Sequence, residues 1–377
     1  MESTGENHDE TRGRVLVTGA SGFVASHVVQ QLLQTEYNVR GTVRSLSNET
    51  KVKHLKSMCG NSRSPLELVE ADLMNQESWI SAVKDCRYVL HIASPFPVSS
   101  PKDESELIIP AVDGTKNVLE ACAKTPTVKR VVLTSSVVAV ADFSKVSEKA
   151  ACESDWPDVD VLDPYSKSKM LAEKAAWSFV EELKSRGDPT FELAVINPGY
   201  VMGPVISGTS CTSMEVVKRL MCRDPPLIPK MNFSVADVRD VAASHIAAMT
   251  HPEAPGQRFI VTSGNIWMSD MSQVLNEEFH DQGYRPAQMK VPHFFFKMFA
   301  KFDSTANRIA PMWGKETVFD NSKMKNILKI EPHPLKQTIV DMAYSMIDGG
   351  FLKKSPRYKG QSATAVSTDA DDHKSNP

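Results

Sequence analysis

The sequence predicts a doubly wound α/β fold, a parallel sheet with a smaller C-terminal lobe, and three observations carry the prediction. Short β-rich runs alternate with amphipathic stretches, several runs are apolar at consecutive positions, and a glycine-rich turn follows the first of them. The runs are Val15-Leu16-Val17, Val39 to Arg44, Leu66 to Val69, Tyr88 to Ile92, Arg130 to Leu133, Leu193 to Ile196 and Phe259 to Thr262. Strands separated by helical stretches imply parallel pairing through crossovers. Consecutive apolar positions are what a strand needs when helices cover both faces of its sheet.

Composition narrows the function classes. The 377 residues, 41% of them hydrophobic, suffice for one large α/β unit or two modest domains. Forty-three Lys and Arg against 46 Asp and Glu leave a net charge of -3. There is no long basic block, so no nucleic acid is expected as a partner. Met1 to Arg12 is polar and reads as a flexible N-terminus without the apolar run of a signal peptide. No apolar stretch reaches membrane-spanning length, and the expected address is the cytoplasm, without a membrane partner. The six cysteines, Cys59, Cys86, Cys122, Cys152, Cys211 and Cys222, have no ligand spacing and read as free thiols, so no metal is expected.

Residues 13–200 form the expected nucleotide-binding domain, with a strand returning near 258–264. After Pro198 the pattern loosens around Gly203-Pro204, Pro225-Pro226 and Pro229, then becomes helical around Met271 to Phe279 and Gln337 to Ile347. Residues 201–354 are therefore the expected substrate-binding lobe, interleaved with the first domain. Residues 355–377 read as a disordered tail, because Ser362 to Pro377 is too polar to offset its ordering entropy.

The turn after the first strand reads Gly19-Ala20-Ser21-Gly22-Phe23-Val24-Ala25, followed by a helix through Val28, Val29, Leu32 and Leu33. Gly19 permits the bend, Gly22 lets backbone N–H groups approach a pyrophosphate, and small Ala25 lets helix and strand pack closely. Gly19, Ser21, Gly22, Phe23 and Val24 are the candidate cofactor contacts of a Rossmann-type fold. The plain alternative is a glycine turn that only makes the bend. The second strand decides which cofactor. An NAD-specific fold places an acid at its end, about 20 residues after the turn. This strand ends Gly41-Thr42-Val43-Arg44, and Lys51 follows in the next loop. A guanidinium can fork onto a 2′-phosphate, so NADPH/NADP+ is the expected cofactor. The alternative is that Arg44 and Lys51 are solvated surface charges.

The fifth run delivers Thr134-Ser135-Ser136 at its carboxyl end, where ligands bind in open α/β sheets. Later comes Asp163-Pro164-Tyr165-Ser166-Lys167-Ser168-Lys169. Asp163 is a natural N-cap and Pro164 a natural first residue of a helix with an apolar stripe at Leu171, Ala175, Phe179 and Leu183. Tyr165 and Lys169 then share one face. A carbonyl receiving hydride needs a proton donor at its oxygen, and an ammonium one turn from a phenol is expected to lower the phenol pKa. The expected roles are Tyr165 as proton donor, Lys169 tuning it and holding the nicotinamide ribose, and Ser136 polarising the carbonyl. An isolated Tyr-x-x-x-Lys pair is also what an ordinary exposed helix face yields by chance.

These residues resemble the extended short-chain dehydrogenases/reductases of the NAD-dependent epimerase/dehydratase superfamily, in the branch of dihydroflavonol, cinnamoyl-CoA and yeast-type aldehyde (methylglyoxal) reductases. The matching stretches run from Val15 to about Gly264. They include VTGASGFVASHVVQQLL, GTVR, ADL at 71–73, HIASP at 91–95, VDGTKNVLEA at 112–121, LTSS at 133–136, YSKSK at 165–169 and NPGYVMGP at 197–204. The resemblance implies further cofactor contacts at Asp72, Leu73, Ile92, Ala93, Ser94, Pro198, Gly199, Tyr200, Val201 and Ser213. It implies an oxidoreductase that reduces an aldehyde or ketone to an alcohol, as a monomer or homodimer. Dihydroflavonol reductases carry Asn five residues after the serine, where this chain has Ala141, which argues against a flavonoid. Phe96, Tyr200, Met202, Met214 and Met221 are candidate walls for an apolar or aromatic carbonyl compound, or plain core fillers. His91 reads equally as a core histidine. Two other classes stay open: a nucleotide-sugar epimerase/dehydratase or 3β-hydroxysteroid dehydrogenase/isomerase using the same triad, and a non-catalytic NADP(H)-sensing module.

Overall fold

The computed structural model describes residues 13–95, 103–145, 149–206, 208–209, 211–302 and 304–361. The expected flexible N-terminus, residues 1–12, and most of the expected tail, 362–377, lie outside the described residues. In chain order the strands are β1 (Arg14–Val17), β2 (Asn38–Val43), β3 (Leu66–Glu70), β4 (Cys86–His91), β5 (Arg130–Thr134), β6 (Glu192–Pro198), β7 (Tyr200–Met202), β8 (Leu227–Ile228), β9 (Asn232–Asp237), β10 (Arg258–Val261), β11 (Gly264–Trp267) and β12 (Met289–Lys290). Seven of them pair in parallel in the order β10-β6-β5-β4-β1-β2-β3. Each of the seven runs read from the sequence is one of these strands, and β10 returns to the sheet edge beside β6.

The consecutive apolar residues divide between two cores. Val15 and Val17 face α1 (Phe23–Leu32), whose Val28, Val29 and Leu32 are fully buried with them. Leu16 faces the opposite core, with Trp79 from α3 (Gln76–Val83) and Val118 and Leu119 from α4 (Ser105–Ala123). Strands β5 and β6 alternate in the same way: Val132, Ala194 and Ile196 lie on the first face, and Val131, Leu133, Leu193 and Val195 on the second. Helices therefore cover both faces, as the pattern required.

The helix α5 (Pro164–Arg186) begins as its sequence suggests. Asp163 Oδ1 accepts from the Tyr165 N–H at 3.1 Å, Pro164 opens the first turn, and Gly187 closes the helix in the left-handed region. Its expected stripe needs correction. Leu183 is buried, but Leu171, Ala175 and Phe179 are only half-buried, and the other apolar residues the helix buries are Met170, Ala172, Ala176 and Val180. The helix is rotated because it turns Tyr165, Lys169 and Glu173 toward the strand ends. The flank that carries Ala175 and Phe179 has α4 as its neighbour.

A third core joins the remaining residues. Strands β7, β9 and β11 form a three-stranded sheet in the order β11-β9-β7, and β8 pairs with β12. Met202, Met214, Val217, Leu275, Phe279, Met342 and Met346 pack there against Phe23 at the start of α1. Residues 355–361, read above as the start of the tail, belong to this region. The Ser355 N–H donates to Tyr284 Oη at 3.1 Å, the Lys359 N–H to Gln282 Oε1 at 3.2 Å, and Gln361 Nε2 to Asp341 Oδ1 at 2.6 Å. Backbone pairing to buried side chains holds a segment whose own composition offers little to bury. No helix among the described residues is long and apolar enough to cross a membrane.

Candidate active site

The strand order reverses at β1, which has β4 on one side and β2 on the other, so the loops after β1 and β4 part and leave a crevice. Gly19 opens the first loop at φ +64°, in the left-handed region, and a Cβ there would sit 3.1 Å from the Cβ of Ala93. The Gly19 N–H donates to Thr42 Oγ1 at 2.9 Å and the Gly22 N–H to Gly19 O at 2.8 Å. Gly22 is exposed at the amino end of α1, whose first turn has no side-chain cap. That turn presents unpaired N–H groups and the positive end of the helix dipole. Ser21 is half-buried beside it, while the Phe23 ring is buried in the third core and half-buried Val24 packs against both that core and the one under α1.

Thr18 joins the two loops. Its Oγ1 accepts from the N–H groups of Ile92 and Ala93, each at 2.9 Å, and lies 2.9 Å from His91 Nδ1. A hydroxyl has one proton, so Thr18 donates it to His91, whose proton must then sit on Nε2. Burial pushes His91 down to about 3, with the Lys169 charge adding to the effect. His91 is a neutral core histidine that fixes the Ile92-Ala93-Ser94 loop. The sequence did not single out Thr18; its position directly before Gly19 at the end of β1 was the available signal.

On the far side of the crevice Arg44 is exposed at the end of β2 and makes no ion pair among the described residues. The nearest strand-end acid, Glu70, instead accepts from the Leu46 N–H at 2.7 Å. Lys51, expected in a loop, lies in the first turn of α2 (Glu49–Met58), because Asn48 Oδ1 caps the helix by accepting from the Lys51 N–H at 3.3 Å. Asp72 is exposed, with Oδ1 accepting from the Met74 N–H at 2.8 Å. Half-buried Leu73 packs on α4, its Cβ 3.0 Å from where a side chain on Gly114 would begin, and its carbonyl accepts from Asn117 Nδ2 at 2.8 Å.

The catalytic candidates lie along the same crevice. Ser136 is half-buried at the end of β5, and its Oγ caps a short turn, Val137–Ala139, by accepting from the Val138 N–H at 3.4 Å. On α5, Lys169 Nζ lies 6.0 Å from the centre of the Tyr165 ring and donates to Ser94 Oγ at 2.9 Å. The β4 loop, the Gly-rich loop and α5 are thereby linked. The pKa shift of Tyr165 runs against expectation: burial and the nearby Asp163 carboxylate push the phenol up to about 12. Burial pushes Lys169 down to about 8. Each shift favours the neutral form in a low-dielectric crevice.

The stretch 15–262 matches the model of the NAD dependent epimerase/dehydratase family. The chain belongs to this family. It is 35% identical over 355 residues to the NADPH-dependent methylglyoxal reductase of Saccharomyces cerevisiae, covering 88% of this chain and 98% of that protein. It is 34% identical over 352 residues to tetraketide alpha-pyrone reductase 1 of Arabidopsis thaliana, covering 91% and 98%. Among solved structures, yeast methylglyoxal/isovaleraldehyde reductase complexed with NADPH superposes with a TM-score of 0.73 at 32% identity, covering 90% of this chain and 99% of that one.

Within this family member the loop after β6 is shaped by close packing. Pro198 is buried, and the Gly199 N–H donates to Val261 O at 3.0 Å. A Cβ on Gly199 would lie 2.4 Å from the backbone oxygen of Ser234. Gly199→Ala must therefore push β9 away from β6, and the expected result is a stability loss of about 1–3 kcal/mol. An unchanged Tm in thermal unfolding would refute it. Tyr200 and Val201 are half-buried; the Tyr200 ring lies 4.9 Å from Phe233, and its hydroxyl donates to Thr212 O at 3.5 Å. Ser213 is buried at the start of α6 (Ser213–Cys222), with Oγ 3.1 Å from Cys211 Sγ. Met202, Met214 and Met221 are buried in the third core, which favours the core-filler alternative over pocket walls. Phe96 lies outside the described residues.

Proposed function

We propose that this chain is an NADPH-dependent reductase converting an aldehyde or ketone to an alcohol at the crevice between the ends of β1, β4 and β5. The observations that support the reading are that the turn after Ser136 packs against α5, the helix bearing Tyr165 and Lys169, that Lys169 bonds Ser94 in the loop beside the glycine-rich turn, and that Arg44 stands in place of the acid an NAD enzyme carries. The donor set fits a dinucleotide bearing a 2′-phosphate. Exposed Gly22 and half-buried Ser21, with the N–H groups of Phe23 and Val24, offer an anion site at the start of α1, and Arg44 has no competing carboxylate among the described residues. Asp72 and Leu73 would border the adenine; Ile92, Ala93, Ser94, Pro198, Gly199, Tyr200, Val201 and Ser213 would line the nicotinamide side. Lys51 would add charge near the 2′-phosphate. Both relatives quoted above are named reductases, and the yeast enzyme's structure contains NADPH.

The bound cofactor would supply hydride to the carbonyl carbon. Ser136 Oγ would donate a hydrogen bond to the carbonyl oxygen and stabilise charge developing there. Tyr165 Oη would transfer its proton to that oxygen, and the high phenol pKa keeps the proton in place at neutral pH. Lys169, still largely an ammonium at pH 7, would stabilise the phenolate left behind and hold the nicotinamide ribose. At 141 the chain offers no polar group for a polyphenol hydroxyl, because Ala141 and Phe143 pack on Val137, Val140, Ile260 and Phe319. The proposed substrate is therefore an apolar or aromatic aldehyde or ketone, covered by residues 201–354 as a substrate lobe. Six unpaired cysteines support a cytosolic address, and the chain would act as a monomer or a homodimer.

The test is NADPH oxidation with a panel of aliphatic, aromatic and dicarbonyl compounds, run against NADH. Turnover with NADPH on at least one aldehyde or ketone is the expected outcome. Tight NADPH binding without turnover on any member of the panel would overturn the reading.

A further inference from the structure

Tyr165, Lys169 and Glu173 follow one another at four-residue spacing on α5, so all three lie on one face of the helix. Glu173 is 1% exposed, and a carboxylate so placed is costly unless its oxygens are fully engaged. Its oxygens are shared among three residues. Oε1 accepts from Arg258 Nε at 2.6 Å and from Trp177 Nε1 at 3.2 Å; Oε2 accepts from Asn197 Nδ2 at 2.9 Å and from Arg258 Nη2 at 3.3 Å.

Two of these donors reach on to the turn that carries Ser136. Asn197 Nδ2 also donates to the Ser136 carbonyl at 3.2 Å, and Arg258 Nη2 to the Ala139 carbonyl at 3.0 Å. Both ends of the turn are thus tied to one buried carboxylate. Two facing acceptors, a carboxylate and a carbonyl, also fix the Asn197 amide with its nitrogen toward them. Arg258 is itself immobilised, donating to the carbonyls of Glu153 and Asp155 and lying 3.8 Å from the centre of the Trp156 ring. We infer that Glu173 is a positioning residue: through Asn197 and Arg258 it holds the Ser136 turn in register with Tyr165 and Lys169 on its own helix. The inference rests on the proposed roles of Ser136 and Tyr165. A carboxylate serving only to pair Arg258 would stabilise the fold and leave the reaction geometry untouched.

Glu173→Gln keeps the shape but offers a single acceptor oxygen, so the Asn197 bond to Oε2 and the Arg258 Nε bond to Oε1 cannot both persist. The test measures kcat and KM for the panel's best aldehyde, the NADPH Kd and Tm, in Glu173→Gln, Ser136→Ala and the double variant. The expected result is a fall in kcat of about 10- to 100-fold in Glu173→Gln, the scale of a misplaced catalytic group. NADPH Kd should be little changed, and the Glu173→Gln effect should be largely absent once Ser136 is already alanine. Asn197→Ala, which cuts the link to the Ser136 carbonyl and spares the Glu173–Arg258 pair, should show the same dependence on Ser136. It decides the matter if Glu173→Gln does not fold. Equal losses with and without Ser136, or an unchanged kcat, would overturn the positioning role. If Ser136→Ala alone retains full turnover, the serine's proposed part in the reaction fails and the positioning role fails with it.

Discussion

Replacing Tyr165 with phenylalanine should lower turnover by about 10²- to 10⁴-fold, the range of a lost general acid, while NADPH binding stays nearly intact. The substitution removes one oxygen and keeps the ring, so packing in the first turn of α5 is preserved. The Asp163 cap is also kept, since Asp163 accepts from the residue 165 backbone. The lost group is the proposed proton donor, held protonated because burial pushes the phenol up to about 12. Single-turnover measurement of NADPH oxidation, with cofactor binding followed separately, checks the prediction. Undiminished turnover would remove Tyr165 from the acid role, and equal losses in binding and turnover would make it a cofactor contact first.

Arg44→Ala should raise the Kd for NADPH by about 10- to 100-fold, the equivalent of losing one or two hydrogen bonds to a charged group, and change the Kd for NADH little. The expectation follows from Arg44 standing exposed at the end of β2 with no carboxylate of its own, while the adjacent acid Glu70 is occupied by the Leu46 N–H. Added salt should narrow the gap between the two cofactors in the parent protein and leave the variant less affected, because an exposed charge pair is screened. Titration of both cofactors at two ionic strengths is the measurement. Equal losses for NADPH and NADH would refute a 2′-phosphate contact.

Local patterning was enough to read the sheet from the chain. Val15-Leu16-Val17 and Leu193 to Ile196 show that both faces of their strands are covered without any knowledge of what covers them. Asp163-Pro164 starts a helix by its own hydrogen bonding and ring geometry, so the shared face of Tyr165 and Lys169 follows from four-residue spacing alone. The arginine ending the second strand and the glycine-rich turn are legible for the same reason: each depends on neighbours in sequence.

Readings that depended on distant residues fared less well. Whether Met202, Met214 and Met221 line a pocket or fill a core is decided by residues far along the chain, the helix 335–348 among them, and composition cannot distinguish the two. Ser355 to Gln361 reads as the start of a tail, yet Tyr284, Gln282 and Asp341 hold it. Spacing along the helix suggests that Lys169 lowers the Tyr165 pKa, whereas burial, a property of the whole crevice, and Asp163 push it up. By itself, the sequence determined the strands, turns and helix that bear the candidate residues, since helix periodicity, turn geometry and capping act over a few residues. Only the tertiary structure decided how they are held: Thr18 on the β4 loop and Glu173 on the Ser136 turn join groups brought together by burial of unlike segments, and spacing along the chain carries no trace of that.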